Sequence, residues 1–306
     1  MQPKYVFSNV VGTFVFSEQF TIFDKILFRN IVDYANKEKA EEKLKNKYKV
    51  LKKPEGKELI KILDLFKNKD FFSDFYSKNL ALTKGKIRDS VKDDILIIQS
   101  INCIEEVDKI INILTKRLRE WYSYSNPEFS ENVKDNEKFV ELLADKKDER
   151  IEESMGAALN KEDLEPIFGL IRQVSDMHNF RKKQETYLEG LMKKNCPNLT
   201  AITGITIGAK LIEHTGSLKH LAELAASVIQ LLGAEKALFR HIKTGARSPK
   251  YGILHEHPLI SQAKKSEHGK VARALADKIS IAVKVDYFKG KFIGDKLKKG
   301  LEEKFK

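Results

Sequence analysis

Two stretches of this chain repeat apolar residues at alternating steps of three and four, and that spacing constrains the fold more than any other feature. Ile97, Ile101, Ile104, Val107, Ile111, Leu114, Leu118 and Trp121 form the first; Ile167, Leu170, Val174, Met177, Phe180, Gln184, Tyr187 and Leu191 form the second. A period near 3.5 predicts two long helices of the coiled-coil kind. At ~1.5 Å per residue each spans about 35 to 45 Å. Pro127 closes the first soon after Trp121. For the second, Asp163 is the expected N-cap, because Pro166 then falls in the first turn, whereas a start at Asn160 would cost an interior hydrogen bond. The polar segment between them holds one short helical candidate, Phe139 to Leu143, so the pair reads as an antiparallel hairpin with an elaborated tip. A lone two-helix hairpin buries little. Self-association through both seams is therefore expected, with Ile104, Ile111, Leu118, Val174, Met177 and Leu191 as dimerisation residues, in preference to burial against the chain's own domains.

The flanks differ in texture. From Tyr5 to Phe28 short aromatic and β-branched runs (YVF, VVGTFVF, FTIFDKILF) predict two or three strands. Residues 36 to 86 are Lys-rich, with a helix expected at Lys57 to Phe66 that sets Leu59, Ile62, Leu63 and Phe66 on one face. The many phenylalanines here read equally well as a Phe-rich core or as a partner-facing surface. Beyond Cys196-Pro197 the chain turns Gly- and Ala-rich, with short helices closed by Gly204, Gly216 and Gly233 and an N-cap at Ser217. After Ile242 comes a Gly/Pro break, then helical pattern from Lys270 and a basic helical tail, DKLKKGLEEKFK. The expected fold is mainly α: a small N-terminal α/β domain (1–85), a long antiparallel coiled-coil hairpin (86–198) and an all-α C-terminal domain with its basic tail (199–306).

Charge points to a partner. Charged residues make up 33% of a chain that is 42% hydrophobic, too apolar for wholesale disorder and suited to long solvated helices. The net +12 is not spread evenly: residues 201–306 hold 20 basic and 10 acidic side chains, the first 200 hold 36 and 34. A surplus confined to one third of the chain marks a polyanion site, and nucleic acid is the commonest polyanion. Two cysteines without CxxC spacing suggest a reducing, intracellular setting. No apolar run approaches the ~18 residues of a membrane span, and the start lacks a cleavage site, so a soluble, untargeted, cytoplasmic protein is expected.

Within that basic third, Lys236, Arg240 and Lys243 form one stripe on a predicted helix, from which Ala237, Leu238, His241 and Ile242 point away. Arg247, Lys250 and Tyr251 follow in the Gly/Pro loop, where charge meets phosphate and a ring stacks on an unpaired base. A solvated helix face is the plain alternative, weakened by the local charge surplus. Six of the seven histidines, His214, His220, His241, His255, His257 and His268, also lie in this region. The HxH pair at 255 and 257 with Glu256 or Glu267 is the one hint of a metal-dependent nuclease, though structural histidines are commoner and no Asp cluster accompanies it. No HExxH, P-loop, dinucleotide fingerprint or nucleophile elbow occurs, so nothing argues for an enzyme.

The segment GAKLIEHTGSLKHLAELAASVIQLLGAEKALFRHIKTGARSPKYGILHEHPLI, with GAEKALF at 233–239 and PKYG at 249–252, resembles the Nop domain of box C/D ribonucleoprotein scaffolds and of a spliceosomal relative. The likeness extends to 98–123, 187–204 and 270–297. Without a long Lys/Glu-rich tail, the chain resembles the archaeal member more than the eukaryotic paralogues, and the segment before its first long helix is shorter than is usual. The resemblance implies a non-catalytic scaffold for guided rRNA or tRNA 2'-O-methylation. Such a scaffold holds the methyltransferase fibrillarin by the N-terminal domain, dimerises through the coiled coil, and clamps a kink-turn guide RNA together with a small kink-turn-binding ribosomal-type protein. It also implies RNA-binding roles for Lys236, Arg240, Lys243, Arg247, Lys250, Tyr251, Lys270 and Arg273. Partner-binding roles fall to Gly233, Ala234, Glu235, Ile253 and His255. No metal and no cofactor are implied for this chain, since S-adenosylmethionine would bind fibrillarin.

Overall fold

A computed structural model describes residues 2–48, 51–145 and 154–305. Its contacts divide the chain into two compact units, 1–91 and 92–306. In the first, strands β1 (Pro3–Ser8), β2 (Gly12–Ser17) and β3 (Ile22–Leu27) form an antiparallel meander with β2 in the centre, Val6 opposite Val15 and Phe14 opposite Lys25. Helices α1 (Ile31–Ala35), α2 (Lys37–Lys47), α3 (Gly56–Leu65) and α4 (Lys69–Ser90) follow. Every residue of β2 is buried, which is why TFVF reads as a continuous apolar run and not an alternating one. Phe14 and Phe16 pack with Ile62 and Phe66, the Phe14 and Phe66 rings meeting edge to face at 4.9 Å. Alternation turns Thr13 and Val15 the other way, and α2 packs on β1 and β2. The phenylalanines are thus largely core, while Phe23 and Phe72 remain exposed. On α3 Ile62 is buried but Leu63, expected beside it, is exposed. The first unit also runs past residue 85, because α4 continues to Ser90.

The second unit opens with the hairpin: α5 (Asp93–Tyr122), the tip helices α6 (Pro127–Asn132) and α7 (Asn136–Ala144), and α8 (Lys161–Asn195). The chain then continues through α9 (Pro197–Thr203), α10 (Ile205–Thr215), α11 (Leu218–Glu223), α12 (Ala226–Leu231), α13 (Glu235–Thr244), α14 (Pro258–Ser261), α15 (His268–Tyr287) and α16 (Gly294–Lys304). The hairpin and the helices beyond it are not separate bodies here. Ile97, Ile101, Ile104, Leu188 and Met192 at the hairpin base belong to one core with Leu199, Leu211, Leu254 and the buried face of α15.

Four expectations about the hairpin change. The seams close on each other: Ile111, Leu118 and Val174 are buried in one cluster with Phe139, Val140 and Leu143 of α7, and Ile104 is buried at the base, so these four are not free to meet a second chain. Met177 and Leu191 are half-buried against the same two cores. The second seam also drifts by one residue after Val174. Leu188 and Met192 point inward, whereas Phe180 and Tyr187 are exposed. The mid-seam positions are charged, with Arg181 bound to Asp108 across the hairpin and to Glu185 at 3.0 Å, so apolar spacing loses the register there. Tyr122, not Trp121, closes the first seam, packing edge to face on Phe129 and Phe139. Finally, α8 is capped by Asn160, whose side chain accepts from Asp163 N at 2.8 Å. Leu159 and Leu164, on either side of that cap, both pack on the tip cluster as a hydrophobic staple, which offsets the bond lost at Pro166 inside the helix.

A buried polar node ties the C-terminal helices together. The Asp286 carboxylate accepts from Asn198 N, Asn198 Nδ2 and Leu199 N at 2.7 to 3.1 Å, and Asn198 Oδ1 accepts from Ile293 N at 2.6 Å. Burial pushes the Asp286 pKa up, and these hydrogen bonds offset part of that rise. Beside it, burial pushes the Cys196 thiol up to about 12, so it stays protonated and unreactive.

Candidate nucleic-acid interface

The stripe-bearing helix α13 begins at a turn built for close approach. Gly233 has φ of +85°, and a Cβ there would also meet Ile253 Cγ1 at 2.7 Å. A Cβ on Gly252 would meet Leu232 O at 1.9 Å. This contact lets two segments cross: Ile253 N donates to Leu232 O at 2.7 Å, Gly252 N to Gln230 O at 3.2 Å, and Gln230 Nε2 to Lys250 O at 2.6 Å. Glu235 completes the turn, its Oε1 accepting from Gly233 N at 2.8 Å and from His214 Nε2 at 2.7 Å. Burial alone would raise the Glu235 pKa, but the backbone donors and His214 outweigh it and the group is held below its ordinary value. A carboxylate at this helix N-terminus also suits the macrodipole.

The helix held in this way has no buried residue. Lys236, Arg240 and Lys243 lie exposed along it, and Lys243 Nζ sits 6.0 Å from the Phe239 ring. Ala237, Leu238 and His241 are half-buried, as expected of residues facing away, but Ile242 is 74% exposed and Phe239 66%. Spacing alone missed this apolar ridge beside the cations; the signal was the high amphipathicity of a helix with nothing charged at 237–239. Gly245, left-handed at φ of +68°, ends α13, and the His241 ring binds Ala246 O.

A second group of cations gathers at the loop's far end. Lys250, Lys270 and Arg273 line one groove with Ser227, Gln230 and Ser248, and Lys304 of α16 joins them. Sequence reasoning missed Lys304, which only tertiary packing brings here. Arg247 is exposed between the two groups. Among the described residues, Lys236, Arg240, Arg247, Lys250, Lys270 and Arg273 are in no ion pair, in contrast to Lys193 with Glu189 or Lys210 with Glu256. Ammonium and guanidinium groups without internal partners are available to phosphates.

Tyr251 requires a correction. Its ring is half-buried, stacks on His255 at 5.1 Å and bonds through its hydroxyl to His268 Nδ1 at 3.1 Å, so it fixes the loop and is not free to stack on a base. Gly233, Ala234 and Ile253 are likewise engaged in holding the turn, with Ala234 buried; His255 is exposed. The other histidines are dispersed. His257 is buried, accepts from Leu259 N and bonds Ile202 O through Nε2 at 2.9 Å. His268 Nε2 meets Ala263 O. The 255/257 pair therefore does not converge, and among the described residues no group of three or more His, Cys, Asp or Glu could hold a metal ion.

Residues 103–306, which contain all of this geometry, match the family model Nop, described as "snoRNA binding domain, fibrillarin". The chain belongs to the Nop family. An uncharacterised NOP5 family protein of Methanocaldococcus jannaschii is 37% identical over 268 residues, covering 80% of this chain and 64% of that protein. Nucleolar protein 58 of Schizosaccharomyces pombe is 37% identical over 229 residues, covering 67% and 45%. A solved chain from a fibrillarin/Nop5p complex has a TM-score of 0.48 and 22% identity, with 98% of each chain covered. This Nop chain spans about half to two thirds of the length of these curated relatives. Among its described residues no helix is long and apolar enough to cross a membrane.

Proposed function

We propose that this chain is a non-catalytic, RNA-binding scaffold of a box C/D ribonucleoprotein, working in the cytoplasm to link fibrillarin to guide RNA for RNA 2'-O-methylation. Residues 199–306 grip the kink-turn guide RNA jointly with a kink-turn-binding protein, and the N-terminal unit holds fibrillarin. The observation that carries the reading is the set of exposed cations, Lys236, Arg240, Lys243, Arg247, Lys250, Lys270 and Arg273, in no ion pair among the described residues and arranged around a loop that its own backbone bonds hold in place. Membership of the Nop family supports the choice of RNA as the polyanion. Phe239 and Ile242 beside the cations suit a surface that meets protein and RNA together. Self-association is assigned to the apolar residues left exposed on the outer face of the hairpin, Ile110, Ile113, Phe180 and Tyr187.

The test is a salt titration of binding to kink-turn RNA already carrying its protein. Lys243→Ala should weaken binding and lower the slope of log K against log salt by roughly one counterion. An unchanged slope for Lys243→Ala, Lys236→Ala and Arg240→Ala alike would remove α13 from the interface.

A further inference from the structure

The end of α15 and its connection to α16, Tyr287-Phe288-Lys289-Gly290-Lys291-Phe292, sets two lysines between aromatic rings and lies outside the surface just described. Phe288 is 76% exposed and Phe292 52%, and the Tyr287 and Phe288 rings meet edge to face at 5.1 Å. Lys284, Lys289 and Lys291 are exposed beside them, and among the described residues none is in an ion pair. From 284 to 299 the chain carries six lysines and two aspartates, one of which is the buried Asp286.

The backbone adds an independent observation. Gly290 N donates to Val285 O at 2.8 Å and Lys289 N to Asp286 O at 3.2 Å, the paired bonds of a Schellman helix end. The left-handed position of that motif is normally glycine, yet here it is Lys289, at φ of +53°. The chain thus carries a strained lysine whose ammonium is in no ion pair among the described residues. Nor is the platform loose. Ile293 N is bound to Asn198, and Gly294 is buried where a Cβ would meet that of Ala201 at 2.7 Å.

We propose that this loop is a second RNA contact, taking a short run of unpaired nucleotides: the exposed rings stack on bases, and Lys284, Lys289 and Lys291 meet the phosphates between them. Rings interleaved with unpaired cations on a fixed backbone are what a single strand requires, and the charge surplus favours a polyanion over an apolar protein surface. The inference rests on the RNA reading above for its partner class but uses none of the residues of that surface.

The experiment measures fluorescence anisotropy of a labelled ten-nucleotide oligouridine with the full chain, alongside kink-turn RNA carrying its protein. Phe288→Ala/Phe292→Ala should weaken oligouridine binding about tenfold or more, with the salt slope unchanged, if at least one stacked base is lost. Lys289→Gly should lower that slope by about 0.7 and leave the melting temperature the same or higher, since glycine suits the left-handed position. Both variants should keep kink-turn binding. Wild-type affinity for oligouridine in the double Phe variant, or no oligouridine binding by the wild type while kink-turn RNA still binds, overturns this inference alone. Failure of the wild type to bind kink-turn RNA overturns the broader reading instead. Loss of a protein partner with oligouridine binding intact would make the loop a protein dock and likewise overturn the proposal.

Discussion

Gly252 and His257 show what single residues contribute to the packing around the basic loop. Gly252→Ala forces a methyl group into the Leu232 carbonyl and should cost about 1 to 3 kcal/mol, read as a lower denaturation midpoint. Kink-turn RNA binding should weaken with it, since the loop is then no longer fixed beside α13. His257 gives a pH dependence. Burial holds its pKa below 6.5, only partly offset by the bond to Ile202 O, so the unfolded chain binds the proton more readily than the folded one. Its contribution is therefore full above pH ~6.5 and falls as pH drops from there toward the lowered folded value. Urea midpoints measured between pH 7 and 5 should fall in the wild type and be flatter in His257→Gln. At this scale the cations were legible in the sequence because exposed Lys and Arg at helical spacing need no tertiary partner. Tyr251 was not, because what immobilises it is His268, 17 residues away at the start of α15.

Among the elements, the hairpin was legible in its existence and direction and illegible in its register, and the 35 residues of α8 make that helix longer than expected. Periodicity finds inward positions only while they stay apolar, and the Asp108–Arg181–Glu185 cluster interrupts the seam where Phe180 and Tyr187 then look like its continuation. The distinction is testable by placing a charge on each side. Val174→Asp puts a carboxylate into a fully buried site and should destabilise by on the order of 3 to 5 kcal/mol. Tyr187→Asp, at a residue already 49% exposed, should leave the melting transition within about 0.5 kcal/mol of the wild type at concentrations where both are monomeric. Light scattering should report about twice 35.1 kDa for the wild type and the monomer mass for Ile113→Asp/Tyr187→Asp. A wild-type monomer would show that the hairpin's outer face stays solvated. The cap of α8 was misjudged for a related reason: the Leu159/Leu164 staple that outweighs Pro166 acts through packing on the tip, which local rules for proline do not weigh.

For the whole molecule, the proposed scaffold divides its two tasks between the units 1–91 and 92–306. Each unit has its own core, so residues 92–306 alone should melt cooperatively, bind kink-turn RNA and fail to retain fibrillarin in a pull-down. The expected boundaries at 85 and 198 followed texture, whereas the hairpin base is built into the C-terminal core through Ile97, Ile101, Leu188 and Met192, a junction that only tertiary packing reveals. The scaffold reading requires both units to act in one chain. The most direct measurement is the amount of fibrillarin retained on immobilised box C/D guide RNA carrying its kink-turn protein, with and without this chain. Retention should depend on the full chain and should be abolished by Lys236→Glu/Arg240→Glu/Lys243→Glu, with fibrillarin binding to that variant intact in solution. Equal retention with the charge-reversed variant, or none with the wild type, would contradict the account.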